Sequence, residues 1–232
     1  GIDLRVFTGG PSKQPSDRLR VGFIGTLADY KGPHVLCRAI KLLAPSLPVD
    51  AMIYGDPVAF PDYAAGLARL AADEPRIHLC GTFPNPEIAA VLSRLDVLVV
   101  PSLWPESTPL VIYAAQAART PVIATALAGM TELVHHEHNG LLVEPGDAHG
   151  LAELIRRCVG DPSLLPRLAA NAIPPRSLES YVSEIEDTYR FPPILGDVDA
   201  HLFAEGTHYE LFDKLGAHPR TIESVDGVAF TV

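Results

Sequence analysis

The stretch that decides the fold is residues 97–120, VLVVPSLWPESTPLVIYAAQAART. It opens on four branched aliphatic residues, 97–100, which is the pattern of a short strand buried on both faces. A proline-rich loop follows, and from Pro109 onward apolar residues recur at helical spacing. The stretch therefore predicts a strand, a loop and a helix, the repeating unit of a parallel sheet covered by helices.

The same alternation extends from about Arg20 to Arg157. Most of the apolar runs are rich in Val, Ile or Leu and end at Gly or Pro. We predict strands at Arg20–Ile24, Val49–Tyr54, Ile77–Cys80, Val97–Val100, Pro121–Thr125 and Gly140–Val143. The predicted fold class is α/β, a Rossmann-like doubly wound parallel sheet, and in such sheets ligands bind at the carboxyl ends of the strands.

Helices are predicted between these strands, several of them opened by a capping residue or by proline in the first turn. They lie at about Gly32–Leu43, Pro61–Asp73, Pro86–Leu95, Pro109–Arg119 and Ala148–Val159. A short helix and a Pro174-Pro175 break then precede an amphipathic helix at Leu178–Tyr189. We expect its apolar stripe to pack in the core; the stripe consists of Tyr181, Val182, Ile185 and Tyr189.

A change in composition predicts a domain boundary near Arg190. Residues 191–232 begin with a Pro192-Pro193 linker and carry seven acidic residues against two basic ones. We therefore predict one domain over residues 1–190 and a short, partly irregular tail over 191–232. Because the chain starts at Gly1 and ends inside an alternating apolar run, we also expect it to be a piece of a longer protein.

Composition and charge exclude several classes of function. With 47% hydrophobic and 20% charged residues, the 232-residue chain can bury a sizeable core. Its net charge of −10 argues against binding to nucleic acid or to anionic membranes. No apolar window is long enough to cross a membrane, and the amino terminus lacks the layout of a signal peptide.

The three cysteines Cys37, Cys80 and Cys158 are odd in number, far apart and set in apolar segments. No C-x-x-C pair is present. This usage predicts buried free thiols in a reducing compartment. We therefore expect the chain to be cytoplasmic.

The loop after the first predicted strand, residues 25–32, reads GTLADYKG. Exposed backbone N–H groups and the amino terminus of a helix favour an anion there, and Lys31 adds a full positive charge. The loop is neither a Walker A sequence nor G-x-G-x-x-G. By itself this segment is a weak signal for a phosphate site, because a glycine after a strand with a solvated lysine nearby is ordinary.

The loop after the fourth predicted strand places Glu106 just ahead of a helix. A carboxylate in that position can accept hydrogen bonds from a polyhydroxylated ligand. First-turn backbone amides remain available for phosphate, namely those of Ser107, Thr108, Leu110 and Val111. The alternative is that Glu106 only complements the helix dipole, which contributes about 0.3–1 kcal/mol.

Five motifs, taken together, resemble the carboxy-terminal domain of family 4 glycosyltransferases, which share the two-domain GT-B fold. In chain order they are 25–32 (GTLADYKG), 101–110 (PSLWPESTPL), 121–125 (PVIAT), 132–134 (ELV) and 139–147 (NGLLVEPGD). The resemblance covers about residues 1–190, and Gly1-Ile2-Asp3 resembles the interdomain linker of that family. The helix at Leu178–Tyr189 resembles the closing helix of the family.

The resemblance implies that this domain binds a nucleotide-activated sugar as substrate, with a UDP, ADP or GDP moiety. The glycosyl unit would pass to a glycan or other sugar acceptor, with retention of anomeric configuration and without a metal or other cofactor. By the same resemblance Lys31 pairs with the diphosphate and stabilises the leaving group, while Glu106 holds hydroxyls of the donor sugar. The other implied binding residues are Gly25, Thr26, Gly81, Phe83, Ser107, Thr108, Leu110, Val111 and Ala114.

Two positions depart from the family pattern. Ala114 stands where the family has a second glutamate that binds the ribose, and Thr26 stands where an arginine is common. Losing a charged hydrogen bond to the ribose costs about 1.5–3 kcal/mol, or roughly 10- to 100-fold in affinity. Both a diverged donor specificity and a degenerate donor site are compatible with these residues.

The tail carries a second resemblance. Residues 201–219 and 226–232 are similar to the segment that leads into the amino-terminal β-sandwich of 1,4-α-glucan (glycogen) branching enzymes. The active site of those enzymes would lie further downstream. A shared role in α-glucan or glycogen synthesis follows from the two resemblances occurring together.

The leading hypothesis is thus a retaining glycosyltransferase in which this chain supplies the donor-binding half. The isolated chain is expected to show little transfer, because the acceptor site belongs to the other domain. The alternative is a non-catalytic scaffold or partner domain with a degenerate donor site, fused to a branching enzyme. A nucleotide-sugar epimerase of the same architecture is a third hypothesis, against which Glu106 and the tail both argue.

Three other groups of residues suggest chemistry and have simpler explanations. The cluster at 135–138 (HHEH) contains zinc-ligand side chains, but adjacent residues do not readily converge on one ion, and no metal site is predicted. Ser102 and Ser107 lie in no G-x-S-x-G elbow, so helix capping or loop hydrogen bonds account for both. Trp104 either lines the sugar site or packs in the interior.

Overall fold

The computed structural model describes residues 2–9, 13, 15–106, 109–190, 221–222 and 230–231. By internal contacts the chain divides into two compact units, Gly1–Tyr181 and Val182–Val232. The tail motifs at 201–219 and 226–232 fall almost entirely outside the described residues. Within the second unit, Thr221–Ile222 and Phe230–Thr231 form a two-stranded antiparallel sheet. The boundary near Arg190 stays a prediction.

The first unit is built on one six-stranded parallel sheet, so the predicted α/β Rossmann-like class is confirmed. The strands are β1 Leu19–Ile24, β2 Val49–Tyr54, β3 Ile77–Gly81, β4 Val97–Val100, β5 Val122–Thr125 and β6 Gly140–Val143. Their spatial order is β3-β2-β1-β4-β5-β6. The chain therefore reverses its direction of winding between β1 and β4, and this switch point is where such sheets bind ligands.

Seven helices are described, and they accompany these strands. They are α1 Pro33–Leu42, α2 Pro61–Ala71, α3 Ile88–Ser93, α4 Leu110–Ala117, α5 Ala148–Gly160, α6 Leu164–Ala170 and α7 Leu178–Arg190. Three starts differ from the prediction, the first being α1, which begins at Pro33 with Gly32 as its N-cap. Pro109 caps α4 instead of beginning it, and Asn85–Glu87 forms a separate 3-10 turn before α3. Among the described residues no helix combines the length and the apolar character needed to span a bilayer.

Strand β4 shows why the valine-rich runs form the centre of the sheet. Val97 and Val99 are buried in the apolar cluster that also contains residues of α1 and α5. Leu98 and Val100 are buried in a second cluster, together with Ile112 of α4. Alternate side chains thus face opposite layers of helices, as a strand buried on both faces requires.

The predicted packing of the α7 stripe is wrong for the side chains that the structure describes. Tyr181, Val182 and Ile185 are 44%, 45% and 37% exposed. The helix itself forms as expected, because its apolar residues recur at helical spacing. Helical periodicity predicts which face is apolar but not whether anything covers that face.

The cysteines are free thiols, as predicted from their number and spacing. Cys37 and Cys158 are buried, and burial raises the pKa of each thiol to about 12. Cys80 is only half-buried, on the edge strand β3. Two of the three thiols are therefore held in the unreactive protonated form.

Asp96 and Arg20 form an ion pair at the amino-terminal end of the sheet. Asp96 Oδ2 accepts hydrogen bonds from the Arg20 backbone N at 2.8 Å and from Nε at 3.0 Å, and Asp96 Oδ1 accepts one from Nη2 at 3.0 Å. Burial raises the pKa of the Asp96 carboxyl, but the hydrogen bonds from Arg20, together with the charges of Lys13 and Arg20, outweigh that effect and leave the pKa below its ordinary value. The carboxylate therefore stabilises the fold in its charged form.

Replacing Asp96 with asparagine is expected to lower the free energy of unfolding by about 2 kcal/mol at neutral pH, because charged hydrogen bonds are lost. The folded pKa lies below the unfolded value of about 3.9, so this contribution is complete above that pH and is lost as pH falls through the folded pKa. Urea unfolding at several pH values should show wild type and Asp96→Asn converging in acid. Asp62→Asn, at an exposed position of α2, is the control. A difference that stays constant with pH would contradict the assignment.

Candidate functional site

The candidate site lies where the carboxyl ends of β1 and β4 meet. Residues 25–32 follow β1 and residues 101–106 follow β4, and the two strands are neighbours in the sheet. A 3-10 turn at Asp29–Lys31 connects the first loop to α1. The two loops that contain the predicted phosphate and sugar ligands are therefore adjacent in space.

Gly32 allows the two loops to touch. Its backbone has φ +70°, in the left-handed region, and a Cβ atom there would lie 2.0 Å from the backbone oxygen of Pro101. A second contact joins the same loops, since the backbone N–H of Leu103 donates to the oxygen of Tyr30 at 2.7 Å. Only glycine combines this backbone conformation with so close an approach.

Lys31 and Glu106 are joined across the two loops. Lys31 Nζ donates to Glu106 Oε2 at 2.7 Å, although the residues are 75 positions apart in the sequence. Both side chains are largely shielded, with 26% of Lys31 and 18% of Glu106 exposed. Lys31 Nζ also lies 5.8 Å from the centroid of the Tyr30 ring, within the range of a cation–π contact.

Ser102 holds the other oxygen of the same carboxylate. Its hydroxyl donates a hydrogen bond to Glu106 Oε1. The backbone oxygen of Ser102 in turn accepts a hydrogen bond from Thr125 Oγ1, at the end of β5, at 2.8 Å. One hydrogen-bonded chain thus connects the ends of three neighbouring strands.

Lys31, Ser102 and Glu106 line a cavity of about 270 Å³. Its polar lining combines one lysine, one carboxylate, two hydroxyl side chains and the backbone of the glycine turn after β1. The wall is otherwise apolar. The lining residues are Phe23, Ile24, Gly25, Thr26, Lys31, Val99, Val100, Ser102, Glu106, Pro109, Leu110 and Val111.

Six of the residues predicted to bind the donor are thus together in the described structure: Gly25, Thr26, Lys31, Glu106, Leu110 and Val111. The combination of a cation with hydrogen-bond acceptors in a part-apolar cavity suits a ligand that carries both phosphate and hydroxyl groups. Ser107 and Thr108 lie outside the described residues.

Three other predicted residues lie elsewhere. Ala114 is 8% exposed and packs in the apolar cluster around Ile112. Gly81 ends β3, and the Phe83 ring contacts Tyr54 edge-to-face with ring centroids 5.6 Å apart. None of these three is among the described residues that line the cavity.

Two further side chains have defined surroundings. His136 Nδ1 accepts a hydrogen bond from the backbone N–H of Leu142 at 2.9 Å, so this imidazole supports the turn before β6. In the described part of the chain no group of His, Cys, Asp and Glu side chains has the arrangement of a metal site. Trp104 is 67% exposed and therefore does not pack in the interior.

Sequence reasoning missed the part that Ser102 and Thr125 play in this site. Both residues lie in motifs of the family resemblance, but the sequence suggests only a nucleophile or a loop hydrogen bond for Ser102 and a strand end for Thr125, and it predicts neither as a site residue. Loop residues follow no periodicity, so pattern analysis cannot pair them. One general rule could have indicated their role. Ligands bind at the carboxyl ends of the strands beside a switch point, and residues that follow β1, β4 and the neighbouring strand meet there.

The fold and the site define a Rossmann-like domain with a ligand cavity at its switch point. Residues 18–161 match the family model described as Glycosyl transferases group 1, and the chain belongs to this family. It is 36% identical over 190 residues to D-inositol 3-phosphate glycosyltransferase of Stackebrandtia nassauensis, covering 75% of this chain and 42% of that protein.

A solved structure supports the same assignment. The crystal structure of Anabaena Alr3699/HepE in complex with UDP and glucose superposes with a TM-score of 0.73 at 26% identity, covering 82% of this chain and 55% of that one. The resemblance to a domain of GT-B glycosyltransferases is confirmed by these matches. The chain spans about half the length of these glycosyltransferases.

The second resemblance is confirmed over a shorter stretch. Over 51 residues the chain is 61% identical to 1,4-alpha-glucan branching enzyme GlgB of Bradyrhizobium diazoefficiens. The match covers 22% of this chain and 7% of that enzyme. It is therefore a similarity to a small part of a branching enzyme.

Proposed function

We propose that this chain binds a nucleotide sugar and supplies the donor half of a retaining, metal-independent glycosyltransferase. The observation that carries the proposal is the Lys31–Glu106 pair, which lines a cavity at the sheet's switch point. The similarity to HepE, solved with UDP and glucose, supports a nucleotide-sugar donor. Free thiols at Cys37, Cys80 and Cys158 support a reducing compartment such as the cytoplasm.

In this proposal Lys31 meets the diphosphate, where negative charge develops as the glycosyl bond breaks. Glu106 accepts hydrogen bonds from hydroxyls of the sugar. In the free protein Lys31 and Glu106 are paired with each other. Donor binding exchanges these partners: the diphosphate takes the place of Glu106 beside Lys31, and sugar hydroxyls take the place of Lys31 beside Glu106. After that exchange both Lys31 and Glu106 again have a hydrogen-bonding partner.

The acceptor is a glycan or other sugar, bound mainly by the part of the enzyme beyond this chain. The cavity of about 270 Å³ is small for a ligand site. Such sites usually measure about 300–1,000 Å³, so it fits one wall of a cleft. The similarity to a branching enzyme supports a role in α-glucan or glycogen synthesis. Because the acceptor site would lie beyond this chain, we expect the isolated chain to bind the donor and to transfer little of the glycosyl unit.

A second candidate function is a non-catalytic scaffold with a degenerate donor site. The burial of Ala114 among apolar side chains favours it, because that helix position offers no carboxylate to a ribose. The two functions differ in one measurable property. A working donor site binds one nucleotide sugar in preference to the others, whereas a degenerate site binds none of them.

The experiment is calorimetric titration of the 232-residue chain with UDP-, ADP- and GDP-glucose and with the three free diphosphates. We expect one base to be preferred and its sugar form to bind more tightly than the bare diphosphate. Absence of binding by all six ligands would overturn the proposed donor site and favour the scaffold.

Replacing Glu106 with glutamine is expected to strengthen binding of the diphosphate and to weaken the contribution of the sugar to binding. The free diphosphate should bind more tightly, because Lys31 is released from its ion pair. The affinity advantage of the nucleotide sugar over that diphosphate should fall about tenfold, because a charged acceptor for sugar hydroxyls is lost. Titration with UDP and UDP-glucose measures both effects, with Glu144→Gln, an exposed position beyond β6, as the control. An unchanged ratio would show that Glu106 does not contact the sugar.

A further inference from the structure

We propose that Ser102 is a positioning residue, which fixes one oxygen of Glu106 so that only the other oxygen changes partner when a donor binds. This inference rests on the proposed function, because it assigns Glu106 to the sugar. It adds a residue that itself need not contact the ligand. The supporting observations are the burial of Ser102, its hydrogen bond and the attachment of its backbone.

The burial of Ser102 makes its hydrogen bond obligatory. The residue is 1% exposed, and a buried hydroxyl without a partner is costly. Its hydroxyl donates to Glu106 Oε1, whereas Glu106 Oε2 pairs with Lys31 Nζ at 2.7 Å. The two oxygens of one carboxylate therefore have different partners, a neutral hydroxyl and a charged ammonium group.

The backbone of Ser102 is held by strand β4 and by a hydrogen bond from strand β5. It lies two residues beyond the end of β4, and its carbonyl oxygen accepts from Thr125 Oγ1 at 2.8 Å. Thr125 ends the neighbouring strand β5 and is itself 1% exposed. These contacts fix the backbone from which the Ser102 hydroxyl projects, so the hydroxyl can hold Oε1 while Oε2 changes its partner.

A carboxylate held in this way presents Oε2 to the cavity in one orientation. Without the serine hydroxyl, both oxygens become available to Lys31, and the carboxylate rotates toward the lysine. The sugar would then lose an oriented acceptor, while Lys31 would remain near the diphosphate position. Ser102→Ala should therefore weaken UDP-glucose binding about tenfold and change UDP binding much less.

The test is a double-mutant cycle measured by calorimetry on the full chain, with UDP-glucose and UDP as the probes. Ser102→Ala is compared in the wild-type background and in the Glu106→Gln background. If Ser102 acts through Glu106, its effect on the ratio of the two affinities disappears once Glu106 is glutamine. An equal loss for both probes, or the same loss in both backgrounds, would overturn the inference.

Variants of Thr125 give a second measurement. Thr125→Val keeps the shape of this buried residue but removes its hydrogen bond to Ser102, and Thr125→Ser keeps the hydroxyl. Thr125→Val should lower the same affinity ratio several-fold, and Thr125→Ser should restore most of it. Equal behaviour of the two variants would show that Thr125 does not support Ser102.

A crystal structure of Ser102→Ala separates this inference from the proposed function. We expect Glu106 to leave its wild-type position in the ligand-free variant, and an unmoved carboxylate would overturn the positioning role. This readout needs no ligand. If wild type binds neither probe, the proposed donor site fails for uridine nucleotides, and the position of Glu106 in the variant still decides the role of Ser102.

Discussion

Replacing Lys31 with methionine is expected to weaken binding of a nucleotide sugar about a hundredfold. Lys31 is the one cationic side chain among the described residues that line the cavity. A charge-assisted hydrogen bond to phosphate is lost in the variant, which costs up to about 3 kcal/mol. The change also leaves the Glu106 carboxylate without its partner and facing the incoming diphosphate, so repulsion adds to the loss.

Calorimetry against the preferred nucleotide sugar measures this effect, with Lys41→Met as the matched control. Lys41 lies in the last turn of α1, and its ammonium pairs with Asp73, so the same change of side chain there should leave binding unaffected. Affinity of Lys31→Met within threefold of wild type would remove the phosphate role of Lys31.

Replacing Gly32 with alanine is expected to destabilise the fold by about 4 kcal/mol, the largest stability effect predicted for this chain. A left-handed residue with a Cβ atom costs roughly 1–2 kcal/mol, and overpacking costs about 1–3 kcal/mol more. The clash is with a backbone oxygen, that of Pro101, at 2.0 Å from the new carbon, and it is relieved only by separating the two loops. The variant should therefore lose donor binding together with stability.

Gly81→Ala is the matched control for this prediction. Gly81 has nearly the same backbone conformation, at φ +69°, but no heavy atom lies within 4 Å of the position of an added Cβ. It should cost only the conformational part, about 1–2 kcal/mol. Chemical denaturation of both variants separates conformation from close approach. Equal decreases in the free energy of unfolding would show that the close approach of Gly32 to Pro101 does not contribute to the cost of the Gly32 substitution.

The fold could be predicted from local patterns because each strand carries its own signal. The four consecutive aliphatic residues of β4 predict a strand buried on both faces without reference to the rest of the chain. In the structure these residues do pack against a helix layer on each side. The stripe of α7 shows the limit of the same reasoning, since Tyr181 and Val182 follow the helical period and are nevertheless exposed.

The candidate site could be predicted in part. Lys31 and Glu106 each stood out in a loop after a strand, but their contact joins residues 75 positions apart and depends on strand order. The short motifs do not reveal that order. Ser102 is less accessible still to pattern analysis, because its importance comes from burial and from one hydrogen bond, neither of which any spacing encodes.

The Lys31–Glu106 contact also determines which competing anions the empty cavity would reject. A small anion such as inorganic phosphate would take Lys31 and leave the shielded Glu106 carboxylate with only the Ser102 hydroxyl, which is unfavourable. A ligand that carries phosphate and hydroxyl groups on one framework compensates both side chains at once. If the site binds a nucleotide sugar as proposed, the ion pair therefore favours a ligand of that kind over a small anion.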